Sequence, residues 1–265
     1  MPFIDCEMSG GWGNRLFKYA FARKYAEQYG CTLRTSPWPQ AHEIFGIEHE
    51  TMPMYPNGLP EVGTFEFEQW NGRVDVCIRG DPQHGKHLIY TRADARRWFK
   101  FRPEILDLLR SVPTVEAAAH LRWGDYVTHG GFICISKDSY LRACDQYGVD
   151  RAKLVFVSEE EPSTVPHIDP MFRWKGRASD HIPGIGFLPD FVLLMRAKVL
   201  FRAPSTFSWW AAELGNHDRV FSPDQRGISH EGSDRGFQDV PFIEGNHAPL
   251  TEWWVGHSEL RLRDS

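Results

Sequence analysis

The 265-residue chain is short of most features that mark a metal, membrane or nucleic-acid protein. Its five cysteines, Cys6, Cys31, Cys77, Cys134 and Cys144, are scattered, with no Cys-x-x-Cys or Cys-x-x-His pair among them. That spacing argues against zinc and for reduced, mostly buried thiols in a reducing compartment. No Asp-x-Asp pair occurs, which removes the simplest way to hold Mg²⁺ on a sugar diphosphate. His42-Glu43 and His49-Glu50 lack the His-Glu-x-x-His spacing of a zinc protease. No metal is therefore expected. No run approaches the roughly 18 apolar residues of a membrane span. Residues Met1 to Met8 lack a basic leader and a long apolar stretch, and no Asn-x-Ser/Thr acceptor is present. A cytoplasmic protein without a transmembrane segment is expected. Positive charge is also scarce: 30 Lys and Arg against 35 Asp and Glu leave a net charge of −5, which disfavours a protein that grips many nucleic-acid phosphates. A small local cluster of arginines still suffices for one diphosphate. Neither an internal repeat nor a low-complexity segment interrupts the chain.

What is present is globular: 42% hydrophobic and 25% charged residues, with enough length for a full core. Ten tryptophans and 18 phenylalanines supply core volume and flat surface on which bases or sugars can stack. Pro2 to Met8 reads as a first strand and Ser9 to Gly13 as a tight turn. A helix follows, capped by Asn14 and ended by Gly30, and Cys31 to Thr35 is a second strand. That succession opens a doubly wound α/β fold. Loops dominate residues 36–90. Arg92 to Arg110 reads as helix broken near Pro103, and Ser111-Val-Pro113 as a hinge. Strands at Val115–Leu121, Leu154–Val157 and Val199–Arg202 alternate with helices at Lys137–Tyr147, Pro189–Ala197 and from Ser205 to Leu214. Two α/β domains are expected, residues 1–112 on the acceptor side and residues 113–265 binding the nucleotide sugar.

Polar groups gather at the ends of these elements, where open parallel sheets bind ligands. Gly10-Gly-Trp-Gly13-Asn14 offers free N–H groups and a helix N-terminus to an anion. It is no Walker loop, because no Gly-Lys-Ser/Thr follows. His120-Leu-Arg122-Trp-Gly-Asp125-Tyr126 ends a strand, with His120 and Arg122 on one face; the planar fork of Arg122 suits a phosphate, and Asp125 can orient it or receive a proton. Ser205, Thr206, Phe207 and Ser208 start a helix directly after a strand and form a second anion pocket, while Trp209 and Trp210 read as core. Ser158 and Glu159 end another strand, suited to accept from a ribose or base. Asp190 stands at a helix start, where a carboxylate also complements the helix dipole.

Three of these segments together resemble the α-1,2-fucosyltransferases, the glycosyltransferase family 11-like enzymes. Gly10-Gly-Trp-Gly-Asn-Arg-Leu-Phe-Lys-Tyr-Ala20 is similar to that family's Gly-Gly-x-Gly-Asn-Gln-x-Phe-Gln-Tyr-Ala opening. His120-Leu-Arg-Trp-Gly-Asp-Tyr126 resembles its His-x-Arg-Arg-x-Asp-Tyr motif, and Ser205-Thr-Phe-Ser-Trp-Trp210 its Ser-Ser/Thr-Phe-Ser-Trp-Trp motif. Their order agrees, over about residues 3–215. The resemblance implies a GT-B-like fold, two Rossmann-like halves facing a cleft, with GDP-fucose as donor, a glycan acceptor, inversion at the anomeric carbon, and neither cofactor nor metal. It gives Arg122 the donor diphosphate, with Ser205, Thr206 and Ser208 lining the phosphates, and Asp190 the guanine, whose N1–H and 2-amine a carboxylate can accept. Donor contacts are expected at Gly11, Gly13, Asn14, Arg15, His120, Arg122, Ser158, Glu159, Asp190, Ser205, Thr206, Phe207 and Ser208, and catalysis at Arg122 and Asp125. Asp125, Glu159 and His129 are the candidates for the base. Two departures stand out: Trp123 occupies the place of the motif's second Arg, and Arg15 and Lys18 replace its glutamines. Arg15 is a candidate for the missing charge. The alternatives are another GDP-sugar transferase with an α-1,6 or α-1,3 linkage or a different deoxyhexose, and a catalytically silent nucleotide-sugar or glycan-binding protein.

Overall fold

The structure is a computed structural model describing residues 1–48, 50–52, 61–63, 75–124, 126, 133–158, 185–226 and 237–247. Asp125, His129 and Glu159 lie outside the described residues. The chain divides into two compact units between Ile105 and Leu106.

The first unit is built on a five-stranded parallel sheet in the order β3-β2-β1-β5-β4. Its strands are β1 (Phe3–Cys6), β2 (Thr32–Thr35), β3 (Glu50–Thr51), β4 (Glu61–Gly63) and β5 (Val76–Arg79). Central β1 pairs with β2 through Ile4↔Leu33 and with β5 through Ile4↔Val76. Between β1 and β2 runs α1 (Trp12–Tyr29), which buries Leu16, Phe17, Ala20, Phe21 and Tyr25 against the sheet. Gly30, at φ +63°, ends α1 in the left-handed region, returning its N–H to the Ala26 carbonyl. The helix begins three residues earlier than its sequence predicts. Gly11, not Asn14, is the N-cap, and no side chain caps it. The cause is Gly10: its positive φ of 84° turns the chain immediately after β1, so Trp12 is already helical and Asn14 folds back over Gly10 from the first turn. Short helices α2 (Pro39–Phe45) and α3 (Arg92–Trp98) follow, and α4 (Pro103–Leu108) runs across the division between the units. Proline starts both α2 and α4, where its missing N–H costs nothing.

The second unit has its own five-stranded sheet, in the order β10-β9-β8-β6-β7. Strands β6 (Ala117–His120), β7 (Leu154–Val157), β8 (Val199–Phe201) and β9 (Arg219–Pro223) are parallel, and β10 (Phe242–Glu244) is antiparallel to β9. Helices α5 (Lys137–Tyr147), α6 (Leu188–Arg196) and α7 (Thr206–Leu214) connect them. Alanine is a poor strand former, yet Ala117, Ala118 and Ala119 carry the interior strand β6 at zero exposure. Burial overrides propensity here, because a strand covered on both faces needs small side chains wherever helices press close. On one face Phe201, Phe221 and Phe242 pack with Tyr140 and Ala143 of α5. Helices α6 and α7 pack together and bury Phe191, Leu194, Trp209 and Trp210, all four fully. All five cysteines are free thiols, and no described helix is long and apolar enough to cross a membrane.

Candidate nucleotide-sugar site

Strand order locates the site in the second unit. From β6 the chain goes to β7 on one side, then crosses to β8 on the other. The connections after β6 and β8 therefore leave in opposite directions, the arrangement at which open α/β sheets bind ligands beyond the carboxyl ends of their strands. Register places the expected residues there. Ala119 pairs with Phe201 and His120 with Val157, so His120 ends β6, Ser158 immediately follows β7, and Arg202 and Ser205 follow β8.

Side-chain contacts tie these ends together. The Tyr126 hydroxyl donates to the Pro204 carbonyl at 3.1 Å, joining the turn after β6 to the turn after β8. The Arg122 guanidinium lies over the Tyr126 ring, 5.2 Å from its centroid. The His120 ring sits 5.4 Å from that of Phe207, which also meets Phe191 of α6 at 5.1 Å. Asp190, partly exposed, is in the first turn of α6, one residue before Phe191. His120, Arg122, Asp190, Ser205, Thr206 and Phe207 thus share one end of the sheet.

The β8–α7 turn is fixed from within. Ser205 is the N-cap of α7, its hydroxyl accepting from the Phe207 N–H. Ser208 is wholly buried: its hydroxyl donates to the Ala203 and Ser205 carbonyls and accepts from the Ala203 N–H. The Ser208 hydroxyl is thus spent on the turn, leaving the exposed side of the first turn to Thr206 and the backbone N–H groups. Ser205 takes up the Phe207 N–H, and the first turn of a helix, whose N–H groups find no acceptor within it, is in general receptive to an anion.

Electrostatics support that polarity. His120 is 6% exposed, and its Nδ1 has no hydrogen-bond partner among the described residues. Burial, aided by the charges of Arg122 and Arg202, pushes its pKa down to about 3, so the ring is neutral at neutral pH. Trp123, at the place of the motif's second Arg, is anchored in the structure. Its indole N–H donates to the Ile135 carbonyl at 3.0 Å, and its ring packs on Phe237 at 4.4 Å.

In the first unit the equivalent reversal lies between β1 and β5. The turn at Gly10 follows β1 and Asp81 follows β5; Lys18 of α1 joins them, donating to the Ser9 hydroxyl at 2.7 Å and pairing with Asp81 at 3.4 Å. Arg15 donates to the Gly10 carbonyl at 3.0 Å and to Gln40 at 3.3 Å. Gly11 leaves open space where a side chain would stand, whereas Gly13 is buried. Gly11, Gly13, Asn14 and Arg15 therefore stand together at the head of α1, apart in sequence and unit from the residues around His120.

One residue escapes the sequence motifs: Arg202, one step past β8, is 1% exposed, and its only signal in the sequence is a cation set against a strand end. Lys18, at a glutamine position of the first motif, is 7% exposed. No group of three or more His, Cys, Asp or Glu able to hold a metal occurs among the described residues.

Comparison with solved structures decides the architecture. A crystal structure of the α-1,6-fucosyltransferase NodZ soaked with GDP-fucose matches 92% of this chain and 99% of its own, with a TM-score of 0.51 at 15% identity. The fucosyltransferase NodZ from Bradyrhizobium matches 92% of this chain and 98% of its own, at 0.51 and 14%. An Arabidopsis thaliana FUT1 mutant in complex with GDP matches 91% of this chain and 73% of its own, at 0.55 and 12%. This chain has the fold of fucosyltransferases. At these identities the likeness is one of architecture, an α/β protein of GT-B type with two parallel-sheet units. No protein-family model matches the chain, and no curated protein matches it in sequence.

Proposed function

We propose that the protein transfers fucose from GDP-fucose to a hydroxyl of a glycan acceptor, forming an α-1,2 linkage with inversion and without a metal. The observation that carries this reading is the convergence, at the β6–β8 reversal, of an arginine, a helix N-terminus and a carboxylate. Tyr126 holds the Arg122 turn against Pro204, beside Ser205 and the start of α7. Fucosyltransferases with this fold have been solved with GDP-fucose and with GDP, which makes a guanine nucleotide the natural occupant.

In this reading the acceptor oxygen attacks the anomeric carbon from the face opposite the diphosphate. The bond between that carbon and the diphosphate oxygen breaks, and its electron pair leaves with GDP. The acceptor proton passes to a base, with Asp125, Glu159 and His129 as the candidates. Arg122, the Thr206 hydroxyl and the first-turn N–H groups of α7 face the charge that develops on the diphosphate; preorganised donors of this kind are often the largest catalytic contribution. Asp190 accepts from the guanine N1–H and 2-amine, and His120 and Ser158 line the donor pocket. Residues 113–265 hold the donor, and residues 1–112 receive the acceptor. The acceptor itself and the cytoplasmic location belong to the same proposal.

A second reading, α-1,6 transfer, is favoured by the match to NodZ. Incubation with GDP-fucose and a panel of galactosides and chitooligosaccharides, followed by linkage analysis, separates the two. An α-1,2 product supports the first reading and an α-1,6 product the second; hydrolysis of GDP-fucose without transfer to any acceptor contradicts both.

A further inference from the structure

Arg202 is a buried cation whose close partners are all neutral. It stands one residue beyond Phe201, where β8 pairs with Ala119 of β6, and three residues before the N-cap Ser205. One guanidinium nitrogen donates to the Ser222 hydroxyl at 3.0 Å, the Asn246 side-chain oxygen at 2.5 Å and the His247 carbonyl at 2.6 Å. Its Nε has no partner among the described residues. Burial pulls its pKa down to about 9, which still leaves it charged at neutral pH. Glu213 of α7 is the carboxylate that favours this charge, and Asn246 links the two, donating to Glu213 at 3.2 Å. Neutral hydrogen-bond acceptors do not cancel a charge, and a charge sealed in a low-dielectric interior acts over a longer distance than one in water. The field reaches His120, where Arg202 and Arg122 both disfavour protonation.

We propose that Arg202 is the second cation of the donor site, a positioning residue that places positive potential behind the β8–α7 turn where Trp123 supplies none. This rests on the reading of that turn as the diphosphate site. Trp123, bonded to the Ile135 carbonyl and packed on Phe237, offers an anion no formal charge. In the first unit, Arg15 is engaged with Gly10 and Gln40. Arg202 acts from beneath the turn rather than by touching the nucleotide. The same bonds clamp Ser222 and the Asn246–His247 segment, so its charge is held where thermal motion does not disperse it.

The test compares affinities for GDP and for guanosine, which share the base and ribose and differ by the diphosphate. Arg202→Met, Arg202→Lys and Glu213→Gln are measured beside the unaltered protein by calorimetry at fixed ionic strength. Arg202→Met is expected to lower the GDP-to-guanosine affinity ratio about tenfold, and Arg202→Lys to keep it within about threefold. Glu213→Gln removes the opposing charge and is expected to raise the ratio. A purely structural Arg202 would lower both affinities together and leave the ratio unmoved in all three variants, which would overturn the inference while leaving GDP binding intact. If Arg202→Met does not fold, the rise in Glu213→Gln decides alone, and an unchanged or lower ratio there overturns the inference. Failure of the unaltered, folded protein to bind GDP would remove the donor-site reading and the inference with it.

Discussion

Arg122 is the residue on which the proposed chemistry depends most. It is partly exposed, it lies over Tyr126, and its turn is anchored to Pro204. Replacing it with alanine is expected to lower turnover with GDP-fucose about 10²–10³-fold, the usual cost of losing one preorganised donor to a developing charge. The thermal midpoint should move little, because the side chain does not belong to the core. Steady-state kinetics with a circular-dichroism melt check both halves; near-normal turnover would remove Arg122 from the donor site. His120 makes a different expectation. Its folded pKa, about 3, lies below the ordinary value of 6.5, so the unfolded chain takes up a proton as pH falls through 6.5 while the folded chain does not. Stability is therefore complete above about pH 6.5 and declines below it, by up to about 1.4 kcal/mol per pH unit for one group. Burial lowers His87 likewise, to about 4, which adds to the same slope. Urea midpoints between pH 5 and 7 should rise with pH, and His120→Gln should make the rise shallower. An unchanged slope in that variant would contradict the buried, neutral state assigned to His120.

At the scale of elements, the β8–α7 turn separates side chains that build the site from those that face it. Ser208 makes three hydrogen bonds from a position of zero exposure, so Ser208→Ala is expected to cost about 1–3 kcal/mol of stability. Thr206, on the same turn but partly exposed, should show the reverse: Thr206→Ala weakens GDP binding and leaves the melting temperature nearly unchanged. Calorimetry and thermal melts on the two variants distinguish these outcomes, and equal effects would mean that the turn is not divided in this way. The elements around the motifs were legible in the sequence, whereas α2, β3, β4 and β5 lie within residues 36–90, whose many prolines and glycines read as loops, and the short strands β9 and β10 are absent from the sequence expectations. Gly30 and Pro103 punctuate the chain where helices end and begin, and the apolar runs at 154–157 and 199–201 are the strands β7 and β8. The start of α1 is harder to read because Asn is a favoured cap, whereas the turn at Gly10 brings the helix forward to Trp12. The site was legible only in part. Motifs pointed to His120, Arg122 and Ser205, but that Ser208 faces inward, and that Arg202 is buried among Ser222, Asn246 and His247, depends on the folded chain; the Arg202 partners come from 20 to 45 positions away. Local spacing carries no record of such contacts.

For the whole molecule, two sheets, the first parallel and the second parallel except for β10, each reverse their strand order, with the glycine turn of the first unit and the arginine and serine turns of the second following strands beside those reversals. Such repetition lets one chain carry two sets of loops on the same kind of scaffold, with the loops free to differ while the sheets are kept. The match to fucosyltransferase structures at 12–15% identity is consistent with this: the sheets persist when most side chains have changed. The central claim is that this scaffold binds a guanine nucleotide sugar without a metal. Calorimetric titration with GDP, ADP and UDP, with and without EDTA, tests it most directly. The expected result is GDP binding that EDTA leaves unchanged, with ADP and UDP at least about tenfold weaker, a difference of roughly 1.4 kcal/mol; absence of GDP binding, or equal binding of all three nucleotides, would contradict it.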